Sequence, residues 1–146
     1  MKTIRRILTA TLLLAFTGSA LADATIKAGP RKGRLLDVEK QKAEFFVEQD
    51  RTISIAFYDA EMKAQPAADQ VVTATAEAPT GKVKLEFEKK GDLLVSKAPL
   101  PAGEHYTVVV QVKPGADAKP KNFRIKLDLS ICAGCSNPEY ACTCDE

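Results

Sequence analysis

Residues 82–88 read KVKLEFE, a stretch in which apolar and charged side chains alternate without interruption. Val83, Leu85 and Phe87 fall on one face, and the charged residues fall on the other. A period of two is typical of a β-strand with one face in the core and the other in water. The stretch therefore predicts a half-buried strand, and the same pattern recurs along the chain.

The longest recurrence is Asn122–Ile131, where alternate apolar side chains are predicted to face the core. These residues are Phe123, Ile125, Leu127, Leu129 and Ile131. Segments rich in glycine, proline and aspartate separate this strand from the others. The other predicted strands are Arg34–Val38, Ala43–Glu48, Thr52–Tyr58, Val71–Ala76, Leu93–Ser96 and Tyr106–Val112.

Seven or eight short strands without intervening helices predict an all-β fold, an immunoglobulin-like antiparallel β-sandwich. The chain has no tryptophan, so it lacks the Cys…Trp…Cys pattern of antibody domains, and the prediction concerns the architecture only. A small barrel is the competing arrangement. We assign the sandwich to residues 23–131, which are long enough for one domain with a single core.

The first 22 residues read MKTIRRILTATLLLAFTGSALA. A basic start, a short apolar stretch and the sequence Ala20-Leu21-Ala22 are typical of a bacterial secretory signal peptide cleaved after Ala22. The apolar stretch is too short to span a bilayer, and no later run is longer. We therefore expect a periplasmic or secreted protein without a membrane span.

The positive charge of the chain resides in this predicted signal peptide. Three of the 21 basic residues lie there, whereas all 19 acidic residues follow it, so the net charge of +2 becomes −1 after cleavage. A nearly neutral chain without a basic stripe gives no reason to expect nucleic acid as a partner.

Two short motifs support a resemblance to a known family. The segment Phe57-Tyr58-Asp59-Ala60-Glu61 ends a predicted strand, and Pro30-Arg31-Lys32-Gly33 precedes the first one. Residues 29–129 resemble the small β-sandwich domain associated with periplasmic adaptor proteins of cobalt–zinc–cadmium efflux pumps, which typically opens with Pro-His-Gly-Gly. The resemblance implies a role in metal efflux and an envelope or efflux-system protein as partner. Arg31 stands in place of the family histidine, which removes one candidate metal ligand.

Catalytic motifs are absent from the sequence. His105 is the only histidine, and it lies next to the start of a predicted strand without a nucleophile motif nearby. No glycine-rich phosphate loop, Gly-x-Ser-x-Gly or His-Glu-x-x-His occurs. We therefore expect a non-enzymatic protein in which His105 is a surface residue.

All four cysteines lie in a short tail, residues 132–146, which reads CAGCSNPEYACTCDE. Thiolates bind soft or borderline ions, and four of them form the usual tetrahedral site of structural zinc. Cys132 and Cys135 resemble a metal knuckle in which Gly134 lets the backbone curl around an ion. The spacing therefore predicts a site for zinc or copper(I) with four ligands, namely Cys132, Cys135, Cys142 and Cys144.

Two disulfides are the main alternative, because exported chains with an even number of cysteines usually form them. The favoured pairing would be Cys132–Cys142 with Cys135–Cys144, since a C-x-C disulfide closes a very small ring. The chain would then be a structural or interaction module of the cell envelope. A redox pair in Cys132 and Cys135 is a third interpretation, although it lacks the βαβ context of such pairs.

The position of the tail gives two further expectations. Because the last predicted strand places Ile131 on the core face and continues directly into Cys132, the cysteines should be rigidly mounted at one end of the sandwich. Because the strands already supply a core, we also expect the tail to be dispensable for folding.

Overall fold

A computed structural model describes residues 25–144 of the chain. The predicted signal peptide, residues 1–22, lies outside the described residues. Within residues 25–144, no helix is long and apolar enough to cross a membrane.

The regular structure of the described chain is almost entirely β-strand, in agreement with the sequence prediction of an all-β fold. Each predicted strand is present, and a two-residue strand brings the number to nine. A short 3₁₀ helix follows at Glu139–Ala141. The strands are β1 (Arg34–Val38), β2 (Gln41–Val47), β3 (Ile53–Tyr58), β4 (Ala64–Gln65), β5 (Val71–Ala78), β6 (Gly81–Lys90), β7 (Leu93–Ser96), β8 (Tyr106–Lys113) and β9 (Lys121–Leu127).

All strands pair antiparallel in the order β1-β2-β3-β7-β6-β5-β8-β9, and β4 pairs with the end of β3. The long strand β6 belongs to both layers of the sandwich. Its residues up to Glu86 pair with β5, and those from Phe87 onward pair with β7. The two layers are therefore continuous on this side, which gives the sandwich a barrel-like form.

The core lies between the two layers and is filled by the alternate apolar residues that the sequence pattern indicates. Leu85 of the KVKLEFE stretch is buried, Phe87 packs partly against the core, and Val83 is exposed near the end of the hairpin. The largest fully buried apolar side chains are Phe45, Ile53, Ile55, Phe57, Leu85, Ile125 and Leu127.

The strands β1 and β9 are the two ends of the sheet order, and no ladder joins them within residues 25–144. We call the gap between them the seam. At one end of the seam, the Nζ of Lys121 on β9 donates a hydrogen bond of 2.6 Å to the carbonyl oxygen of Asp37 on β1. The other end is covered by the 3₁₀ helix, which lies against both strands.

The chain can place the 3₁₀ helix at the seam because strand β9 ends earlier than predicted. Asp128 accepts hydrogen bonds from the backbone and hydroxyl of Ser130, which bends the chain after Leu127. The prediction that Ile131 faces the core is wrong, because the bend leaves 64% of this residue exposed and turns Cys132 inward instead.

Residues 128–141 then form a hairpin that returns towards the core; we call it the tail hairpin. The Glu139 N–H donates to the Ser130 carbonyl at 2.8 Å, and Ile131 forms a β-bridge with Pro138. The hairpin places Tyr140 and Ala141 in the core, where they are 3% and 0% exposed. Because the tail is packed into the sandwich, we expect it to contribute to stability instead of being dispensable for folding.

A buried carboxylate fixes the segment before β1. Glu44 on β2 is fully buried, and its Oε1 accepts the backbone N–H groups of Arg31 and Gly33 at 2.9 and 2.8 Å. Its Oε2 accepts the Tyr58 hydroxyl at 2.7 Å, and burial together with this carboxylate raises the pKa of Tyr58. The motif Pro30-Arg31-Lys32-Gly33 thus covers the outer face of the sheet at Glu44.

The packing of Tyr140 predicts that truncation after Ser130 destabilises the protein. Loss of this aromatic side chain and of Ala141 opens the core at the seam, which should lower the free energy of unfolding by about 3 kcal/mol or more. Urea denaturation followed by circular dichroism measures the change. A truncated chain as stable as the full chain would show that the tail hairpin contributes nothing to the core.

The hydrogen bonds of Glu44 predict a second effect on stability. Glu44→Ala leaves two buried N–H groups and a hydroxyl without their acceptor, so the free energy of unfolding should fall by at least about 2 kcal/mol. The control is Glu88→Ala, which removes a half-exposed carboxylate paired with Lys90 and should change stability by less than about 1 kcal/mol. Equal losses in the two variants would contradict a structural role for Glu44.

Candidate metal centre

The turn of the tail hairpin carries the first two cysteines. The Cys132 N–H donates to the Asn137 carbonyl at 2.8 Å, and the Ser136 N–H donates to the Cys132 carbonyl at 2.9 Å. Ser136, directly after Cys135, has a left-handed backbone with φ 57°. These features close a tight loop that turns both sulfurs to the same side.

The 3₁₀ helix positions the second pair of cysteines. Cys142 follows the helix directly, and its N–H donates to the Glu139 carbonyl at 3.1 Å. Because Ala141 is fixed in the core, the chain leaves the helix at a defined point and brings Cys142 and Cys144 back over the hairpin turn.

The structure brings all four predicted site residues together. Their sulfur atoms lie within 4.8 Å of one another; we call this group the cysteine cluster. The Sγ atom of Cys132 is 3.0 Å from that of Cys142 and 3.7 Å from that of Cys144, and the Sγ atoms of Cys135 and Cys142 are 3.7 Å apart. All four residues are free cysteines, because a disulfide requires a distance of about 2.0 Å.

These separations suit a tetrahedral thiolate site. With zinc–sulfur bonds of about 2.3 Å, the sulfurs of a regular tetrahedron lie about 3.8 Å apart. Two of these sulfur–sulfur distances are 3.7 Å, and the third requires Cys132 and Cys142 to separate by less than about 1 Å. Cys132 is buried whereas Cys144 is exposed, so the cluster is closed towards the core and open towards solvent.

Hydrogen bonds give the cysteine thiols different pKa values. The N–H groups of Thr143 and Asn137 donate to the Cys135 sulfur and lower the pKa of this thiol to about 6. A hydrogen bond with the Cys132 sulfur raises the pKa of Cys142 to about 12. N–H donors of this kind stabilise a thiolate, which is the form that binds metal.

Gly134 makes room for the cluster. A Cβ atom at this position would lie 2.6 Å from the Cys144 sulfur, closer than real contacts allow. The sequence predicts that Gly134 lets the backbone curl, whereas the residue of this loop with a left-handed backbone is Ser136. The glycine therefore provides space for a sulfur.

Sequence reasoning missed the residues that hold the cluster in place. Asn137 is buried and Tyr140 anchors the loop in the core, and the sequence motifs predict neither role. The sequence signal for this anchor is Tyr140, the single aromatic residue of the tail, which is followed by Ala141 and Cys142. His105 has a 73% exposed side chain, as expected for a surface residue, and its Nδ1 is 3.5 Å from Asp128.

Comparisons of the chain with protein-family models, with curated proteins and with solved structures found no match. We therefore infer the function of the chain from the geometry of the site and from its sequence.

The contact between Gly134 and Cys144 predicts that Gly134→Ala weakens metal binding. The added methyl group displaces the Cys144 sulfur, and a misplaced ligand should lower the affinity for zinc by about tenfold or more. The control is Gly115→Ala, because a Cβ atom at Gly115 meets no other atom within 4 Å. Competition with a chromophoric zinc chelator measures both affinities, and equal values would contradict the assigned role of Gly134.

Proposed function

We propose that the chain is an exported, non-enzymatic protein that binds one soft metal ion, zinc or copper(I), through the cysteine cluster. The observation that carries the proposal is that four sulfur atoms lie within 4.8 Å of one another on a tail that is packed against the core. A group of four thiolates in a tetrahedral arrangement is a typical zinc site, and soft sulfur ligands also select copper(I).

The arrangement of the ligands supports a closed site with one ion. Two ligands come from the turn of the tail hairpin and two from the segment after the 3₁₀ helix, so an ion would bridge two parts of the tail. Cys135 already receives backbone N–H groups from Thr143 and Asn137, which offset the negative charge of a bound thiolate.

The proposal also includes export of the chain and a role for it in metal handling. The features of residues 1–22 support export. The resemblance of residues 29–129 to the small domain of metal-efflux adaptors supports a role in periplasmic metal handling, with an efflux-system protein as the recipient of the ion. The exposed position of Cys144 suits such a transfer, since an incoming ligand can reach this sulfur first.

The test is metal binding by the reduced full chain. We expect one zinc ion per chain, with release of protons because each thiol must ionise to bind. Replacing zinc by cobalt should give the visible absorption of a tetrahedral thiolate site. Cys142→Ser together with Cys144→Ser should abolish tight binding. The control is Thr143→Ala, which alters the residue between them but keeps the backbone N–H that faces Cys135.

The same experiment tests the alternative, a structural or interaction module with two disulfides. The 3.0 Å distance between the Cys132 and Cys142 sulfurs favours this pair as the first disulfide. Thiol counting and metal analysis on protein isolated from the periplasm without chelator separate the two functions. Two intact disulfides, with metal uptake only after reduction, would overturn the metal proposal.

A further inference from the structure

We infer that the cysteine cluster controls the seam: an ion bound to the four sulfurs holds Tyr140 between β1 and β9, and loss of the ion opens this end of the sandwich. The inference rests on the proposed function, because it assigns a structural consequence to metal binding at the same site. It connects the cluster to a distant part of the sheet through a single side chain.

Tyr140 takes part in the closure of the seam by three contacts. Its ring meets the ring of Phe45 edge-to-face, with centroids 5.5 Å apart. Its hydroxyl oxygen accepts the backbone N–H of Val47 at 3.1 Å, an amide near the end of β2. Its own N–H donates to the Asp128 carbonyl just after β9, at 3.2 Å. One residue thus joins β2 to the end of β9.

The cluster closes the loop that carries this residue. The loop runs from Cys132 through Tyr140, which lies in the core, to Cys142, whose sulfur is 3.0 Å from that of Cys132. An ion bound to both sulfurs closes the loop and removes much of the conformational entropy that would favour its release. Without the ion, the sulfurs are joined by weak hydrogen bonds only.

The seam has few other connections at this end. The tail hairpin is fixed to the body of the sandwich by Tyr140 and Ala141 in the core, while Ser130 and Ile131 are exposed. Release of Tyr140 exposes Phe45 and leaves the Val47 amide without its acceptor. Metal occupancy is therefore expected to change the surface of the protein at the open edge of β1 and at the end of β2.

Such coupling is reciprocal: if the ion favours the inserted position of Tyr140, the inserted tyrosine must favour binding of the ion by the same factor. Tyr140→Ala should therefore weaken zinc binding by about tenfold, although residue 140 has no metal-binding atom in its side chain. The control is Leu85→Ala, which opens the same core away from the seam and should leave zinc affinity unchanged.

Hydrogen exchange on the full chain tests the inference directly. In the reduced protein, exchange of the Val47 amide should be at least tenfold faster after chelation of zinc than in the zinc-loaded form, whereas the Val110 amide in the middle of β8 should exchange equally slowly. Tyr140→Phe keeps the ring and removes the acceptor, so it should accelerate Val47 exchange even with zinc bound, and it remains informative if Tyr140→Ala does not fold.

The outcomes separate the two proposals. A reduced chain that binds neither zinc nor copper(I) overturns both the proposed function and this inference. A chain that binds zinc tightly, but shows the same Val47 exchange with and without the ion, retains the proposed function and overturns the inference alone. Equal losses of zinc affinity in Tyr140→Ala and Leu85→Ala would also overturn it, since they indicate general destabilisation.

Discussion

The contact of Tyr140 with Phe45 and the Val47 amide is the interaction on which the closure of the sandwich depends. An antiparallel sheet that wraps around one core must either pair its two end strands or cover the gap between them. Here β6 joins the two layers on one side, but on the other side no ladder joins β1 to β9 in the described part of the chain. An aromatic side chain from outside the strands covers one end of the gap, and Lys121 covers the other.

The insertion of Tyr140 into the seam determines where the cysteines can lie. A tyrosine can enter the seam only if the chain turns back after β9, and the turn at Asp128 and Ser130 provides the return. The cysteines occupy the turn of the returning hairpin and the segment after the 3₁₀ helix. They are therefore brought together by the packing of residues between them. In this respect the cluster differs from a cysteine-rich segment that depends on metal alone for its order, because part of its geometry is fixed by the hydrophobic core.

The sequence was sufficient to predict the strands and the four residues of the cysteine cluster. It was insufficient to predict the contacts that connect the cluster to the strands. Period-two patterns such as KVKLEFE determine which side chains are buried, so the predicted strands match the structure closely. The four cysteines were predicted together because paired thiols at short spacing have few uses. The position of Ile131 was predicted wrongly, since alternation was extended through a bend made by Asp128 and Ser130. The role of Tyr140 depends on a contact with a residue 93 positions away, at Val47, which no local pattern reveals.

The surroundings of Cys135 bear on the choice between an ion and two disulfides. A disulfide sulfur is neutral and a poor acceptor, so it gains little from backbone N–H groups, whereas a thiolate ligand gains charge stabilisation from each. The sulfur of Cys135 receives such groups from Thr143 and Asn137, and the space beside Gly134 is matched to the sulfur of Cys144. Two disulfides would make little use of the N–H groups that face the Cys135 sulfur, although the Cys144 sulfur would still need the space beside Gly134. The N–H groups around the Cys135 sulfur therefore favour the proposed metal site over two disulfides.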